Sequence, residues 1–215
     1  MKKLTCLLIL LCITASYAQY NKKDSNRIGI SGGVTQLSLF SNQFNAKEDI
    51  GFIGGFSMRG NYYNNWQAIY GMNFTQSSFS LQSTTNKEIN YDLQAVQIYL
   101  LGSYMIVENH LNIEFGPVLQ VNGKLKLDAD NENVLLKDSP LVLAKELADI
   151  NTITGNVYGG VTFGFTNFRL NVNYQYSFIN NLNKLNKTDD LQLRNRNKDF
   201  KGNFGMLSAV ATIYL

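Results

Sequence analysis

From Phe168 to Phe178 the chain reads FRLNVNYQYSF and changes chemistry at every step. Phe168, Leu170, Val172, Tyr174, Tyr176 and Phe178 fall on one side of an extended chain, and Arg169, Asn171, Asn173, Gln175 and Ser177 on the other. Successive side chains of a β-strand point to opposite faces, so this segment predicts a strand with one apolar and one polar face. The same period recurs upstream. Ile50, Phe52, Gly54, Phe56, Met58, Gly60 and Tyr62 alternate with mostly small or polar residues, broken by Ile53. Trp66, Ala68, Tyr70, Met72 and Phe74 continue the pattern, and Leu111, Ile113, Phe115, Leu119, Val121, Leu125 and Leu127 alternate with Asn112, Glu114, Gln120, Asn122, Lys124 and Lys126. Weaker alternation covers Arg27 to Phe40, Val157 to Phe165 and Asn203 to Leu215, and Tyr91 to Ile106 turns apolar on both faces towards its end. Eight strands are predicted, several longer than the usual five or six residues.

The connections alternate in length. Tyr63 to Asn65, Val107 to His110 and Thr166 with Asn167 are short; Ser41 to Asp49, Leu81 to Asn90, Asp128 to Asn156 and Ile179 to Lys201 are longer and polar. Short turns at one end and long loops at the other predict an all-β fold, an eight-stranded antiparallel up-and-down transmembrane β-barrel with periplasmic turns and outer loops. Aromatic placement fits two interfacial belts. Tyr62, Tyr63, Trp66 and Phe168 lie beside the short turns, and Phe40, Phe79, Tyr91 and Phe178 near the long loops. Such rings are apolar in body and polar at the tip.

The N-terminal MKKLTCLLILLCITASYAQ has basic Lys2 and Lys3, an apolar run from Leu4 to Ile13, and small Ser16 and Ala18 before Gln19. It reads as a signal peptide over residues 1–18, leaving 19–215 as one barrel domain. Cys6 and Cys12 leave with it, so disulfide and thiol chemistry are not expected in the mature chain. The 19 Lys plus Arg, less Lys2 and Lys3, stand against 16 acids, and no basic patch points to nucleic acid. No apolar run after residue 18 is long enough for a transmembrane helix.

Within an eight-stranded barrel the polar faces become a packed interior. Arg59, Glu114 and Arg169 would then gather near the short-turn end of the lumen, with Glu114 pairing one or both arginines as a plug. In the third long loop DSPLVLAKELAD predicts a short helix with Ser139 as N-cap and Pro140 in its first turn, placing Leu143, Leu147 and Ile150 on one face. That helix is either a lid over the mouth or a packing element at the rim. NNLNKLNKTDDLQLRNRNKD, residues 180–199, reads as a mobile outer loop. The lone His110 has no serine close by, and neither a phosphate loop nor metal-ligand spacing occurs, so no catalytic residue, cofactor or metal is expected.

Three segments carry a family resemblance: VQIYLLGSYMI (Val96 to Ile106), IEFGPVLQV (Ile113 to Val121) and LNVNYQYSFINNL (Leu170 to Leu182). Together they resemble the PorT-type outer-membrane β-barrel domain proteins. Tyr99 stands where that family usually has proline, and the chain ends in Tyr214-Leu215 where many such barrels end in an aromatic. The resemblance implies an outer-membrane barrel and no single activity. The expected partners are outer-membrane lipid, the barrel-insertion machinery during biogenesis, and an extracellular ligand or envelope protein reached through the loops, with the chain itself a monomer. Three readings follow: a non-enzymatic barrel acting through its loops, a narrow pore for small solutes, and a secreted lipocalin-type barrel whose apolar faces turn inward around a lipid.

Overall fold

The structure, a computed structural model, describes residues 26–139, 141–195 and 198–215; the expected signal peptide and Pro140 lie outside them. Eight strands form one closed antiparallel barrel in sequence order: β1 (Arg27–Phe40), β2 (Lys47–Tyr63), β3 (Trp66–Gln82), β4 (Glu88–Val107), β5 (Leu111–Asn122), β6 (Ile153–Gly164), β7 (Phe168–Ser177) and β8 (Asn203–Tyr214). The ring closes where β8 pairs with β1, from Gly29 opposite Tyr214 to Phe40 opposite Asn203. Closure leaves no strand edge unpaired. The tight turns after β2 and β4 each hold an asparagine in the left-handed region, Asn64 at φ 48° and Asn109 at φ 59°. Asparagine tolerates that conformation because its short polar side chain hydrogen-bonds locally.

Polarity runs inside out for a protein in water. On β7 burial alternates without exception: Phe168, Leu170, Val172, Tyr174 and Tyr176 are exposed on the outer wall, while Arg169, Asn171, Asn173, Gln175 and Ser177 are buried in the lumen. The outward residues of β2 (Phe52, Phe56), β4 (Ile98, Leu100) and β6 (Val157, Val161) extend the same apolar belt. A lipocalin-type barrel needs the opposite arrangement, with its apolar faces inward.

Strand ends differ from the sequence reading in an orderly way. β2, β3 and β4 run beyond the belt, so the loops expected at Ser41 to Asp49 and Leu81 to Asn90 shrink to 41–46 and 83–87. Above the belt the alternation keeps its parity and reverses its polarity. On β4, inward Ile89, Tyr91 and Leu93 are buried while Val96, Ile98 and Leu100 face outward. On β3 the switch falls between outward Phe74 and inward Phe79 and Leu81, and on β1 between outward Val34 and inward Leu37 and Leu39. Paired residues place these switches at one level, with Phe74 opposite Val96 and Gln76 opposite Gln94. Phe79 and Tyr91 therefore do not join an outer aromatic belt; both are fully buried inside the mouth. β5 stops at Asn122 instead of running to Leu127, because Gly123 and Lys126 turn their backbones onto Gln94 and Asp92 of β4 and Leu125 folds inward.

Candidate functional site

Two assemblies occupy the barrel: a charged network near the short turns and a folded cap across the long-loop mouth. The network rests on parity. Arg59 on β2, Glu114 on β5 and Arg169 on β7 all point inward, each at most 5% exposed. Arg59 and Glu114 form a buried ion pair. Three further Arg59 donors are committed, Nε to the Tyr214 hydroxyl at 3.1 Å and Nη1 to Gln67 Oε1 at 2.8 Å and Ser103 Oγ at 3.0 Å. The second Glu114 oxygen accepts from Asn171 Nδ2 at 3.1 Å.

Arg169 does not pair with Glu114. Its Nη1 donates to Asn112 Oδ1 at 2.7 Å, and Asn112 in turn donates to Gln67 and Ser103, which links the two arginines through one amide. Above this layer Ile69, Leu101, Val118 and Tyr158 form a small apolar cluster with Tyr99 packed against it. Gly71 makes room for Tyr99, since a Cβ there would collide with the Tyr99 hydroxyl. Higher still, Gln97, Gln120, Asn122 and Asn156 join side chain to side chain, with Gln97 Nε2 to Gln120 Oε1 at 2.8 Å. The lumen is thus filled in layers, as an eight-stranded barrel requires.

The cap is built on the apolar tops of β1, β3, β4 and β8. Phe79 stacks on Tyr91 with ring centroids 5.4 Å apart and meets Phe204 at 5.9 Å. From the third long loop Leu136, Val142, Ala144, Leu147 and Ile150 pack into the same core, and from the fourth Leu182, Leu185, Leu191 and Phe200. Tyr91 Oη donates to the Ala144 carbonyl at 3.1 Å, fastening the loop to the barrel wall. Burial of this order is worth about 1.5–3 kcal/mol per large apolar side chain, which places the loops within the folded body.

The expected helix starting at Ser139 is shorter and later. A single 3₁₀ turn covers Ala144–Ala148, with Glu146 accepting from the Leu143 amide at 2.8 Å. Residues before it are held by a small hairpin, Leu136 N to Val142 O and Ala144 N to Val134 O, so their backbone groups are unavailable to a helix. Leu147 and Ile150 are buried, whereas Leu143 is only partly so.

The stretch read as a mobile outer loop is instead ordered over its described residues. A short helix, α1 (Asp189–Arg194), carries Asp189 and Asp190 in its first turn, where carboxylates favour the helix N-terminus. Arg194 donates from Nη2 to Glu146 Oε1 at 2.5 Å and to Asp190 at 2.7 Å, and from Nη1 to the Leu141 carbonyl at 3.0 Å. Its hydrogen bonds to Glu146 raise its pKa above the ordinary arginine value. Lys184 joins Asp149 at 3.3 Å across the same seam. Leucines at 182, 185 and 191, spaced by three and six residues within polar sequence, are the available signal for this packing.

The interfacial aromatics lie as follows. Tyr62, Tyr63, Trp66 and Phe168 are exposed at the short-turn end, with Tyr63 opposite Trp66 across the hairpin; Phe40 and Phe178 are exposed near the long loops. Trp66 packs edge-on against Tyr104 at 5.1 Å and Phe115 at 6.1 Å.

With this geometry in hand, solved structures supply the comparison. Neisserial surface protein A superposes with a TM-score of 0.50 at 14% identity, over 88% of this chain and 99% of that one. Ail, the attachment invasion locus protein of Yersinia pestis in complex with the heparin analogue sucrose octasulfate, gives 0.52 at 14% identity, over 89% and 99%. The likeness is one of fold. No family model matches the sequence, and no curated protein matches it. Fold similarity at this identity does not carry activity.

Proposed function

We propose that this chain is an integral outer-membrane barrel protein, closed to solutes, that acts without catalysis through its folded outer cap as a binding, adhesion or accessory component. Membership of the PorT-type group is the finer part of the same reading, supported by the segments at Val96 to Ile106, Ile113 to Val121 and Leu170 to Leu182. The outer-membrane location is supported by the apolar outer wall, because a lipid-facing barrel satisfies every backbone group within its ring and leaves only apolar side chains to the bilayer. On this reading the short turns lie in the periplasm and the cap outside, with the expected signal peptide directing export.

The observation that carries the proposal is the cap itself. A merely connecting loop has no reason to bury Leu147, Leu182 and Phe200 in one core with Phe79 and Tyr91. A rigid outer surface is what loop-mediated recognition needs. The kind of partner follows from charge. Arg194 is set against Glu146 and Asp190, Lys184 against Asp149, and Lys47 against Glu88, while Leu135, Leu141 and Leu193 stand exposed. Such a surface suits an envelope or host protein better than a polyanion of the kind bound to Ail.

Conductance separates this reading from a narrow pore. The purified full chain in a planar bilayer is expected to pass no unitary current, because layered side chains and the cap obstruct the path. Steady unitary steps would replace the closed barrel with a solute channel.

A further inference from the structure

The short-turn end of the lumen carries more positive charge than its one buried acid can balance. Arg27 on β1 stands directly opposite Arg59 on β2, so both share the inward face, and both line the open mouth at this end. Arg169 joins them from β7; Glu114 is the buried acid set among them, and Glu108 stands exposed on the lining of the same mouth. Each Glu114 oxygen already has a partner, one Arg59 and the other Asn171. Arg27 gives Nη1 to the Thr166 carbonyl, which holds its position without neutralising it.

Arg169 is the group left short. It is 2% exposed, its Nη1 meets a neutral amide oxygen, and its Nε has no hydrogen-bond partner. A buried guanidinium without a counter-charge is costly, and burial normally comes with pairing. The side chain lines a cavity of about 50 Å³ shared with the Arg59–Glu114 pair, Asn171, Asn173 and Gln175, so two guanidinium groups face it against one carboxylate. That space is several times the minimum for one water, room for a small ion together with a few waters. Asn173 Oδ1 and Gln175 Oε1 also lack partners there. They repel a bare anion and accept hydrogen bonds from water, so the site suits a small ion that keeps part of its hydration shell.

We propose that the lumen binds one small inorganic monovalent anion of halide size beside Arg169, reached from the short-turn mouth past Arg27 and Arg59. The ion completes the charge balance of the plug and makes the stability of the barrel depend on which anion is present. General screening acts equally for any salt of the same ionic strength; occupancy of a site does not, because a ligand that binds only the folded state raises stability with its concentration.

The test uses the full chain in detergent micelles, unfolded by heat in sodium chloride and in sodium gluconate of equal ionic strength. Wild type is expected to unfold at higher temperature in chloride, and Arg169→Gln to lose that difference. Equal midpoints for wild type in the two salts, or an undiminished chloride effect in Arg169→Gln, would overturn the site. Should Arg169→Gln not fold, crystals of wild type grown in bromide decide: an anomalous peak in the cavity beside Arg169 is expected, and its absence refutes the proposal.

Discussion

Glu114→Gln is expected to destabilise the barrel by about 3–5 kcal/mol, the usual cost of removing one partner from a buried pair. The substitution keeps the shape of the side chain and removes the buried acid set among Arg27, Arg59 and Arg169, so it isolates charge from packing. Arg59 would keep Gln67, Ser103 and Tyr214 as neutral partners while losing its carboxylate. Replacing Arg59 and Glu114 together should cost less than the sum of the two single changes, since neither charge is then left alone. Denaturant unfolding of the three variants in one detergent, compared with wild type, checks both statements. A Glu114→Gln variant as stable as wild type would mean that the ion pair contributes nothing to the plug.

The second large effect concerns the outer wall. Val172 is the middle of the outward row on β7 and is about half exposed. Val172→Arg is expected to cost about 2–4 kcal/mol in a bilayer, the penalty for a cation near the midplane of a lipid-facing barrel surface. On a surface facing water the same change would fall within about 0.5 kcal/mol of neutral. Refolding yield and denaturant midpoint in lipid vesicles measure the difference. Moving the arginine above the polarity switch, to Gln94 on β4, should remove most of the penalty, because that position lies outside the apolar belt.

These expectations rest on a pattern that is legible in the sequence to different depths. The alternation from Phe168 to Phe178 is plain because β7 stays within the apolar belt, where each residue's neighbour is decided by parity alone. β4 is harder to read. It crosses from belt to cap, where the apolar residues change sides between Leu93 and Val96, and towards its end inward Tyr99 and Leu101 join the apolar layer of the lumen, so the strand looks apolar on both faces. The same reversal hid the role of Phe79 and Tyr91, which look like belt residues by position and belong to the cap core. Arg59 and Glu114 could be brought to one end of the lumen by counting, but their pairing, and the diversion of Arg169 to Asn112, depend on strand register, which spacing does not specify. The cap was least legible. Its core joins residues from three loops and four strands, and such long-range packing leaves only scattered apolar residues in otherwise polar sequence.

Trp66 reports directly on whether the outer wall faces lipid. It is the sole tryptophan of the chain, lies outward beside a short turn, and packs on Tyr104 and Phe115. The protein would be reconstituted into vesicles of lipids brominated at different depths along the acyl chain, and Trp66 emission followed. Quenching is expected to be strongest for bromine near the headgroups and weak for bromine at the midplane, as an interfacial ring requires. Emission unaffected by brominated lipid at any depth, and fully quenched by an aqueous quencher, would contradict it and place the apolar wall out of the membrane.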